Sequence, residues 1–443
     1  MRTTAIIACI IGTVAQGIPA FAQGPAANAA GQRIVIRLDN PNFRPYPIAI
    51  PEAQLLSKGQ SKEAEDITRT LRWCFSLAPT FKVLNPKSYL ADPKKEGLVA
   101  ASIQFSDWVN VGAEGLVKAG ITKTPERLKI DFRFFDVTSG RTLLSKNYVG
   151  LAKDAQSLAR KFADDVVNYL TGTRGVFKTR LAAVRKSKGG RELWVMDVDG
   201  TNATRVTKNG SINLLPSWSV GGQSLLFTSY MRHNPNLFTI PVAGGRAKQL
   251  SGERGLNTGA VMSPDGKKIA LTLTRDGNSE IYVMNADGTG LKRLTNEWAI
   301  DSSPSWSPDG KRIAFVSSRW GDPHIFVMKA DGTQVRRVTD RGTYNQTPDW
   351  SPRGDLIAFT ARDERNVFDI FTVNPDTKEI RRLTQDQGNN EEPSFSPDGN
   401  LIVFTSTRER KSQVWVMALD GSNQTRITSA GGFTTPAWSP YLP

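Results

Sequence analysis

The sequence has little cysteine and histidine and no long apolar run. Its 443 residues include two cysteines and two histidines. Arg2, the apolar stretch at 5–14 and the AFA sequence at 20–22 form the pattern of a secretory signal peptide, so we expect residues 1–22 to be removed. Cys9 leaves with them, which excludes an intramolecular disulfide in the mature chain. No later stretch approaches the ~20 apolar residues that a membrane-spanning helix needs.

Sequence motifs of common catalytic and metal sites are missing as well. The chain has no G-x-S-x-G, no G-x-x-x-x-G-K-[ST], no H-E-x-x-H and no C-x-x-C sequence, so we expect neither a cofactor nor a metal. His233 and His324 fall in loops of different repeat units, and we interpret both as surface residues. Cys74 shares a helical face with Ile67 and Leu71, which predicts a buried thiol.

A repeat of about 44 residues fills the chain after residue 178. The sequence PSWSPDG at 304–310 recurs six times in degraded form, and the central residues of the copies are Trp218, Met262, Trp306, Trp350, Phe395 and Trp438. Each copy contains four short β-prone runs separated by Pro-Asp-Gly and Asp-Gly turns. In the third copy the PSWS strand is followed by predicted strands at 312–317, 325–329 and 334–339. A four-stranded unit of this length is typical of a propeller blade. The repeat therefore predicts an all-β six-bladed propeller over residues 176–443.

The two ends of the repeat predict how the ring closes. Residues 180–207 supply three strands with no PxWS strand before them, and the chain ends with such a strand at 436–440. We expect the C-terminal strand to join the first blade and close the ring.

The residues ahead of the repeat predict a small α/β domain. We expect a mobile tail at 23–32 and an α/β domain over 33–175. Its predicted strands cover 33–38, 47–50, 81–84, 116–121, 128–136 and 142–149, and its predicted helices cover 61–77 and 154–170.

The formal net charge of +15 raises the question of an anionic partner. A cation recurs once in each predicted outer strand, at Arg205, Lys248, Arg293, Arg337, Arg382 and Arg426. We expect these charges at the blade edges, where they oppose edge-to-edge strand pairing. Because the repeat distributes them around a circumference, we do not expect nucleic acid as a partner.

An Asn or Asp recurs three residues before the Pro of five PxWS strands. The positions are Asn213, Asn257, Asp301, Asn345 and Asn390, with Phe433 in the last copy. Asn and Asp cap turns by binding nearby backbone amides, which is a structural interpretation. The functional interpretation is that these loops form a polar rim at one mouth of the channel and bind a partner. A different class of function, a hydrolase or lyase that uses the channel carboxylates Asp301, Glu391 and Glu392, stays open.

Three segments besides the repeats resemble the TolB family of the Tol-Pal cell-envelope system. They are RIVI at 33–36, GVFKTR at 175–180 and PAWSPYL at 436–442. The resemblance covers nearly the whole mature chain. It implies a periplasmic, non-enzymatic and monomeric adaptor that associates with the envelope through its partners and supports outer-membrane integrity and cell division.

The resemblance also implies two binding sites. The first would bind the C-terminal domain of TolA through the segment Arg33, Ile34, Val35, Ile36, Arg37, Leu38, Asp39 and Asn40. The second would bind the peptidoglycan-associated lipoprotein Pal at the channel mouth, with Asn257, Asp301, Ser302, Asn345 and Asn390 as the candidate residues. Leu256 stands where family members can have histidine, which is a departure at this second site.

Overall fold

The computed structural model describes residues 44–57, 62–90, 92, 95–362 and 364–442, all within one compact unit that spans Val35–Pro443. The predicted signal peptide at 1–22, the tail at 23–32 and the TolA-type segment Arg33 to Asn40 lie outside the described residues. Within those residues, no helix is long and apolar enough to cross a membrane.

The described residues of the N-terminal part form one six-stranded sheet and three α-helices. The strands are β1 (Tyr46–Ala49), β2 (Gln54–Leu55), β3 (Phe81–Val83), β4 (Gly115–Lys123), β5 (Leu128–Asp136) and β6 (Arg141–Gly150). The helices are α1 (Lys62–Leu77), α2 (Phe105–Asn110) and α3 (Ala155–Thr171), and short 3-10 turns occupy Pro86–Ser88, Ala100–Ser102 and Ala152–Asp154. The sheet order is β3-β1-β4-β5-β6, with β2 pairing to β4.

Apolar side chains on both faces of this sheet explain why helices cover it. Phe132 of β5 stacks on Phe162 of α3, with ring centroids 4.6 Å apart. On the other face Phe135 contacts Phe105 of α2. Cys74 is fully buried in α1, as its position on the apolar stripe predicted. Helix α3 ends where Gly172 adopts a left-handed backbone with φ 75°, a conformation that favours glycine.

Six four-stranded sheets follow as the blades of the propeller. Blade 1 contains β7 (Arg180–Ser187), β8 (Gly190–Asp197), β9 (Thr204–Arg205) and the C-terminal β30 (Phe433–Trp438). Blade 2 contains β10 (Asn213–Trp218), β11 (Ser224–Arg232), β12 (Asn234–Pro241) and β13 (Lys248–Ser251). Blade 3 contains β14 (Asn257–Met262), β15 (Lys268–Leu273), β16 (Glu280–Asn285) and β17 (Lys292–Arg293).

The remaining blades repeat the same order. Blade 4 contains β18 (Asp301–Trp306), β19 (Arg312–Ser317), β20 (His324–Lys329) and β21 (Arg336–Arg337). Blade 5 contains β22 (Thr343–Trp350), β23 (Ile357–Arg362), β24 (Phe368–Val373) and β25 (Ile380–Arg382). Blade 6 contains β26 (Asn390–Phe395), β27 (Leu401–Ser406), β28 (Gln413–Ala418) and β29 (Thr425–Arg426). The outer strand of blade 4 is shorter than the run at 334–339 that the sequence predicted.

The C-terminal strand closes the ring, as predicted. Strand β30 pairs antiparallel with β7, and Trp438 lies opposite Leu181. The indole nitrogen of Trp438 donates a hydrogen bond to Thr179 Oγ1 over 2.8 Å. The first blade is therefore assembled from both ends of the propeller sequence.

The hydrophobic core lies between consecutive blades. Because side chains alternate along a strand, Leu225 and Phe227 of β11 pack with blade 1, whereas Leu226 between them packs with blade 3. The same alternation joins blades 3 and 4, 4 and 5, and 5 and 6. Each blade is thus buried on both faces, which explains the apolar runs in the middle strands.

Candidate functional site

The loops of each blade gather at two opposite ends of the propeller. In blade 4 the inner strand β18 begins at Asp301, which pairs with Ser317 at the end of β19. The loop before β18 and the loop between β19 and β20 therefore lie at one end. We call this end, with the corresponding loops of all blades, the mouth face. The Pro-Asp-Gly turns lie at the opposite end.

The recurring Asn and Asp side chains of the mouth face are buried. Asn213, Asn257, Asp301 and Asn390 are 0% exposed and Asn345 is 1% exposed. Ser302, which was also predicted for the Pal-type site, is half-buried. A partner that meets this face therefore contacts the residues around these side chains, not the side chains themselves.

Asn257 illustrates what the buried amides do. Its Nδ2 donates to the carbonyl oxygens of Pro235 and Glu253 at 3.1 and 2.8 Å, and its Oδ1 accepts from Ser251 Oγ at 2.6 Å. Asn257 belongs to blade 3, whereas these three partners belong to the preceding blade and the loop that leaves it. The amide therefore ties two blades together, which extends the turn-capping role that the sequence suggested.

A second recurring polar position, near the start of the third strand of each blade, takes part in the same hydrogen-bond networks. Its residues are Glu192, Asn236, Glu280, His324, Asp369 and Gln413, all of them buried. A Thr or Ser follows the fourth strand or ends it, at Thr207, Ser251, Thr295, Thr339, Thr384 and Thr428. In blade 5, for example, Asp369 Oδ1 accepts from Thr384 Oγ1 at 2.6 Å and from Asn390 Nδ2 at 3.0 Å.

The interpretation of His324 as a surface residue is wrong. It begins strand β20, is 6% exposed, and its two ring nitrogens lie 2.7 Å from Arg337 Nη2 and Asn345 Nδ2. Burial and then the Arg337 guanidinium lower the pKa of His324 to about 4, so the ring is neutral at pH 7. His233 is exposed, as predicted.

The six repeated cations lie in the outermost strands of the blades, as predicted, but not all of them face solvent. Arg205, Lys248 and Arg426 are exposed. Arg293 and Arg382 instead fold back onto the buried carboxylates of Glu280 and Asp369, at 2.7 and 2.5 Å. These guanidinium groups compensate buried negative charge, which is a stronger requirement than edge protection.

The structure does not bring the three candidate catalytic carboxylates together. Asp301 belongs to blade 4 and its Oδ2 accepts from Arg319 Nη2 at 2.8 Å. Glu391 and Glu392 belong to blade 6, so blade 5 separates them from Asp301. Glu392 Oε2 accepts from Thr405 Oγ1 and from the backbone nitrogen of Thr435, at 2.8 and 2.6 Å. Burial raises the pKa of each of the three carboxyl groups.

The inner strands share a distortion next to the buried Asx position. The residue two positions after it has a positive φ in every blade: Leu215, Gly259, Ser303, Thr347, Glu392 and Thr435. The register of each inner strand shifts at this point, as in a β-bulge. Backbone nitrogens freed by the bulge bind the neighbouring blade, as Ser303 does by donating to Thr272 Oγ1 at 3.1 Å.

Exposed apolar side chains lie one residue before the buried Asx position in four consecutive blades. They are Ile212 at 43%, Leu256 at 38%, Ile300 at 55% and Tyr344 at 38% exposure. We call these four residues the apolar arc. Only Leu256 among them was noted from the sequence, although all four occur at the same period as the Asn and Asp residues beside them. Exposed apolar surface on a rigid scaffold is typical of a protein-binding site.

The two parts of the chain match the models of two protein families. Residues 167–442 match the model described as the TolB beta propeller domain. Residues 34–143 match the model described as the TolB amino-terminal domain.

Individual relatives agree with these matches. The Tol-Pal system protein TolB of Anaeromyxobacter sp. (strain K) is 44% identical over 222 residues, which is 49% of this chain and 50% of that protein. The same-named protein of Desulfosudis oleivorans is 38% identical over 205 residues, 46% of this chain and 47% of the relative. The chain therefore spans about half the length of the curated relatives it matches.

The fold is shared with a solved structure over almost its full length. The crystal structure of TolB from Acinetobacter baumannii has a TM-score of 0.78 and 24% sequence identity, and the match covers 90% of this chain and 98% of that chain. A chain of the nidogen/laminin complex has a TM-score of 0.51 at 14% identity, covering 60% of this chain and 100% of that chain.

Proposed function

Since the chain belongs to the TolB family of Tol-Pal system proteins, we propose that it is a periplasmic, non-enzymatic adaptor between two envelope proteins. In this proposal it links the C-terminal domain of TolA to the lipoprotein Pal, as a monomer that associates with the envelope only through these partners. The link supports outer-membrane integrity and constriction during cell division. The mature chain begins after residue 22.

The observation that carries this proposal is the apolar arc of the mouth face. Four exposed apolar residues stand on four consecutive blades, each beside a buried Asn or Asp whose side chain bonds a neighbouring loop or strand. Such loops keep one conformation, so little conformational entropy is lost when a partner binds. Asn257, Asp301, Asn345 and Asn390 serve this site by shaping the loops, and Ser302 lies beside them. The arc itself supplies the contact area for Pal.

The second site in the proposal is the segment from Arg33 to Asn40. Its sequence RIVIRLDN contains three consecutive β-branched residues at 34–36, a composition that favours an extended strand. An extended segment can add a strand to the exposed sheet edge of a partner. We therefore assign the TolA contact to this segment, separate from the mouth face.

A binding function also fits the state of the channel carboxylates. A hydrolytic acid–base pair needs two carboxyl groups that face one substrate. Asp301 is committed to Arg319, and Glu392 is committed to Thr405 and Thr435. These contacts support a structural role for both groups.

The proposal is tested by titrating the mature chain with the periplasmic domain of Pal and, separately, with the C-terminal domain of TolA. Deleting residues 33–40 should abolish TolA binding and leave Pal binding unchanged. Leu256→Asp should weaken Pal binding at least about tenfold, because it places a charge in a desolvated contact, and leave TolA binding unchanged.

Val220→Asp is the matched control for Leu256→Asp. Val220 is 44% exposed but lies in the loop between β10 and β11, at the end opposite the mouth face. The control should bind both partners like the wild type. A wild-type chain that binds neither domain would rule out the adaptor function.

A further inference from the structure

Among the residues that the structure describes, blade 4 alone carries a patch of large exposed apolar side chains that includes two tryptophans. Trp298 is 79% exposed, Trp320 is 65% exposed, and Ile300 of the apolar arc is 55% exposed. We call these three residues the Trp patch. Trp298 and Ile300 lie in the loop before β18, and Trp320 lies in the loop between β19 and β20, so all three belong to the mouth face.

Hydrogen bonds join the two loops that carry the patch. The backbone nitrogen of Ile300 donates to Ser318 Oγ, and that of Ser318 donates to the carbonyl oxygen of Ile300, both at 3.1 Å. Arg319 then joins Glu297 at 3.3 Å and the buried Asp301 at 2.8 Å. Each tryptophan is therefore next to a residue of this bonded pair of loops.

Trp320 is held in place although most of its surface is open. Its ring meets the edge of Phe326 at a centroid distance of 5.3 Å, and the guanidinium of Arg337 lies 5.7 Å from its centroid. The ring therefore contacts the blade with one part of its surface and leaves the remainder to solvent. A fixed, exposed indole offers a large contact area at low entropic cost.

The repeat itself does not require these two aromatic residues. The positions equivalent to Trp298 are Gly210, Arg254, Gly342, Gln387 and Ala430. The positions equivalent to Trp320 are Lys188, Arg232, Asp276, Glu364 and Glu409. Small or polar residues thus suffice to build this part of a blade in every other copy. The two tryptophans have no counterpart in the blade architecture, so their role lies outside folding.

We propose that the Trp patch is the anchoring contact for the lipoprotein partner, an inference that rests on the proposed function of the mouth face. Tryptophan dominates the energetic centres of protein interfaces, where it is surrounded by a polar rim. Exposed Arg254, Asp322 and Arg341 provide such a rim here. Exposed indoles also stack on sugar rings, but Ile300 and the aliphatic members of the apolar arc favour a protein surface over a glycan.

The test compares Trp298→Ala/Trp320→Ala with the wild type in calorimetric titrations with the periplasmic domain of the lipoprotein. The double variant should bind at least about 30-fold more weakly, as expected for a central aromatic contact. Trp298→Phe/Trp320→Phe should recover most of the affinity. Val220→Ala, an exposed apolar truncation at the opposite end, should change the affinity less than about threefold. Thermal unfolding of the double variant should match that of the wild type.

Each other outcome has a distinct meaning. If the wild type binds the lipoprotein and the double variant binds equally well, the Trp patch is not the anchor, while the proposed function stands. If soluble peptidoglycan fragments bind the wild type and not the double variant, with lipoprotein affinity unchanged, the patch is a glycan site and the proposal is wrong. If the wild type does not bind the lipoprotein at all, the proposed function fails and this inference fails with it.

Discussion

Replacing Trp438 by alanine should lower the stability of the whole propeller, because this residue joins the two ends of the ring. Trp438 is 6% exposed at the end of β30. Its indole nitrogen donates to Thr179 Oγ1 at 2.8 Å, and its backbone nitrogen donates to Ser394 Oγ of blade 6 at 3.1 Å. The side chain thus holds the C-terminal strand β30 to the start of the propeller sequence within blade 1, while the backbone holds it to blade 6.

The expected cost follows from the burial of the ring. Truncating a buried tryptophan to alanine costs about 3–5 kcal/mol in the free energy of unfolding. For a large domain each kcal/mol lowers the Tm by about 2–4 °C, so Trp438→Ala should lower it by about 6–20 °C. Differential scanning calorimetry measures this shift. Trp298→Ala is the matched control, because Trp298 is 79% exposed and its truncation should leave the Tm unchanged.

Equal Tm values for Trp438→Ala and Trp298→Ala would refute the role of β30 in closing the ring. Removal of residues 434–443 is the more severe form of the same experiment, since it deletes most of the inner strand of blade 1. That truncation should abolish cooperative unfolding of the propeller. An unchanged transition would show that the ring does not depend on its C-terminal strand.

Three other experiments test buried ionisable groups. Burial raises the pKa of Asp349 to about 7. The folded chain therefore binds this proton more tightly than the unfolded chain, and its stability falls as the pH rises from about 4 to 7. Urea unfolding should show that Asp349→Asn gains about 4 kcal/mol relative to the wild type between pH 4 and pH 8; an equal difference at both pH values would contradict this. Arg160 of α3 is 2% exposed and forms salt bridges with Asp197 and Asp199 of blade 1. Arg160→Met should lower the free energy of unfolding by about 3–5 kcal/mol, because it leaves two buried carboxylates without this partner. An unchanged Tm would exclude a role of Arg160 in joining the domains. Lys118 Nζ lies 2.9 Å from Glu96 Oε2 in the N-terminal domain. In urea unfolding, the double variant Lys118→Met/Glu96→Gln should lose less free energy of unfolding than the two single variants lose together. Additive losses would show that the pair does not interact.

The propeller was predictable because one pattern recurs six times and each middle strand is buried on both faces. Strand β19, for example, covers the predicted residues 312–317 without a shift. The pairing of β30 with β7 followed from the missing strand at one end of the repeat and the extra strand at the other. In the N-terminal domain the long helices followed from apolar stripes. Helix α2 has six residues, too few for a helical period to be recognised.

The burial of the mouth-face amides could not be predicted from residue type. Asn and Asp cap exposed turns as readily as they fill buried sites, and the choice depends on partners that are distant in sequence. The amide of Asn390, for example, can be buried because it donates a hydrogen bond to Asp369, which lies 21 residues earlier in the sequence. The position that includes Asp369 and His324 is occupied by Glu, Asn, His, Asp or Gln in different blades, so no single residue type marks it. The recurring Thr or Ser beside it was the available signal.

Hydrogen–deuterium exchange with and without the periplasmic domain of Pal locates the binding face, because it reports on each loop of the propeller separately. If Pal binds the mouth face, amide exchange should slow in the mouth-face loops, above all at 294–300 and 318–323 in blade 4. Exchange should stay unchanged in the turns of the opposite end, such as 307–311. Protection confined to the opposite end, or no protection on either end, would contradict the mouth face as the binding site.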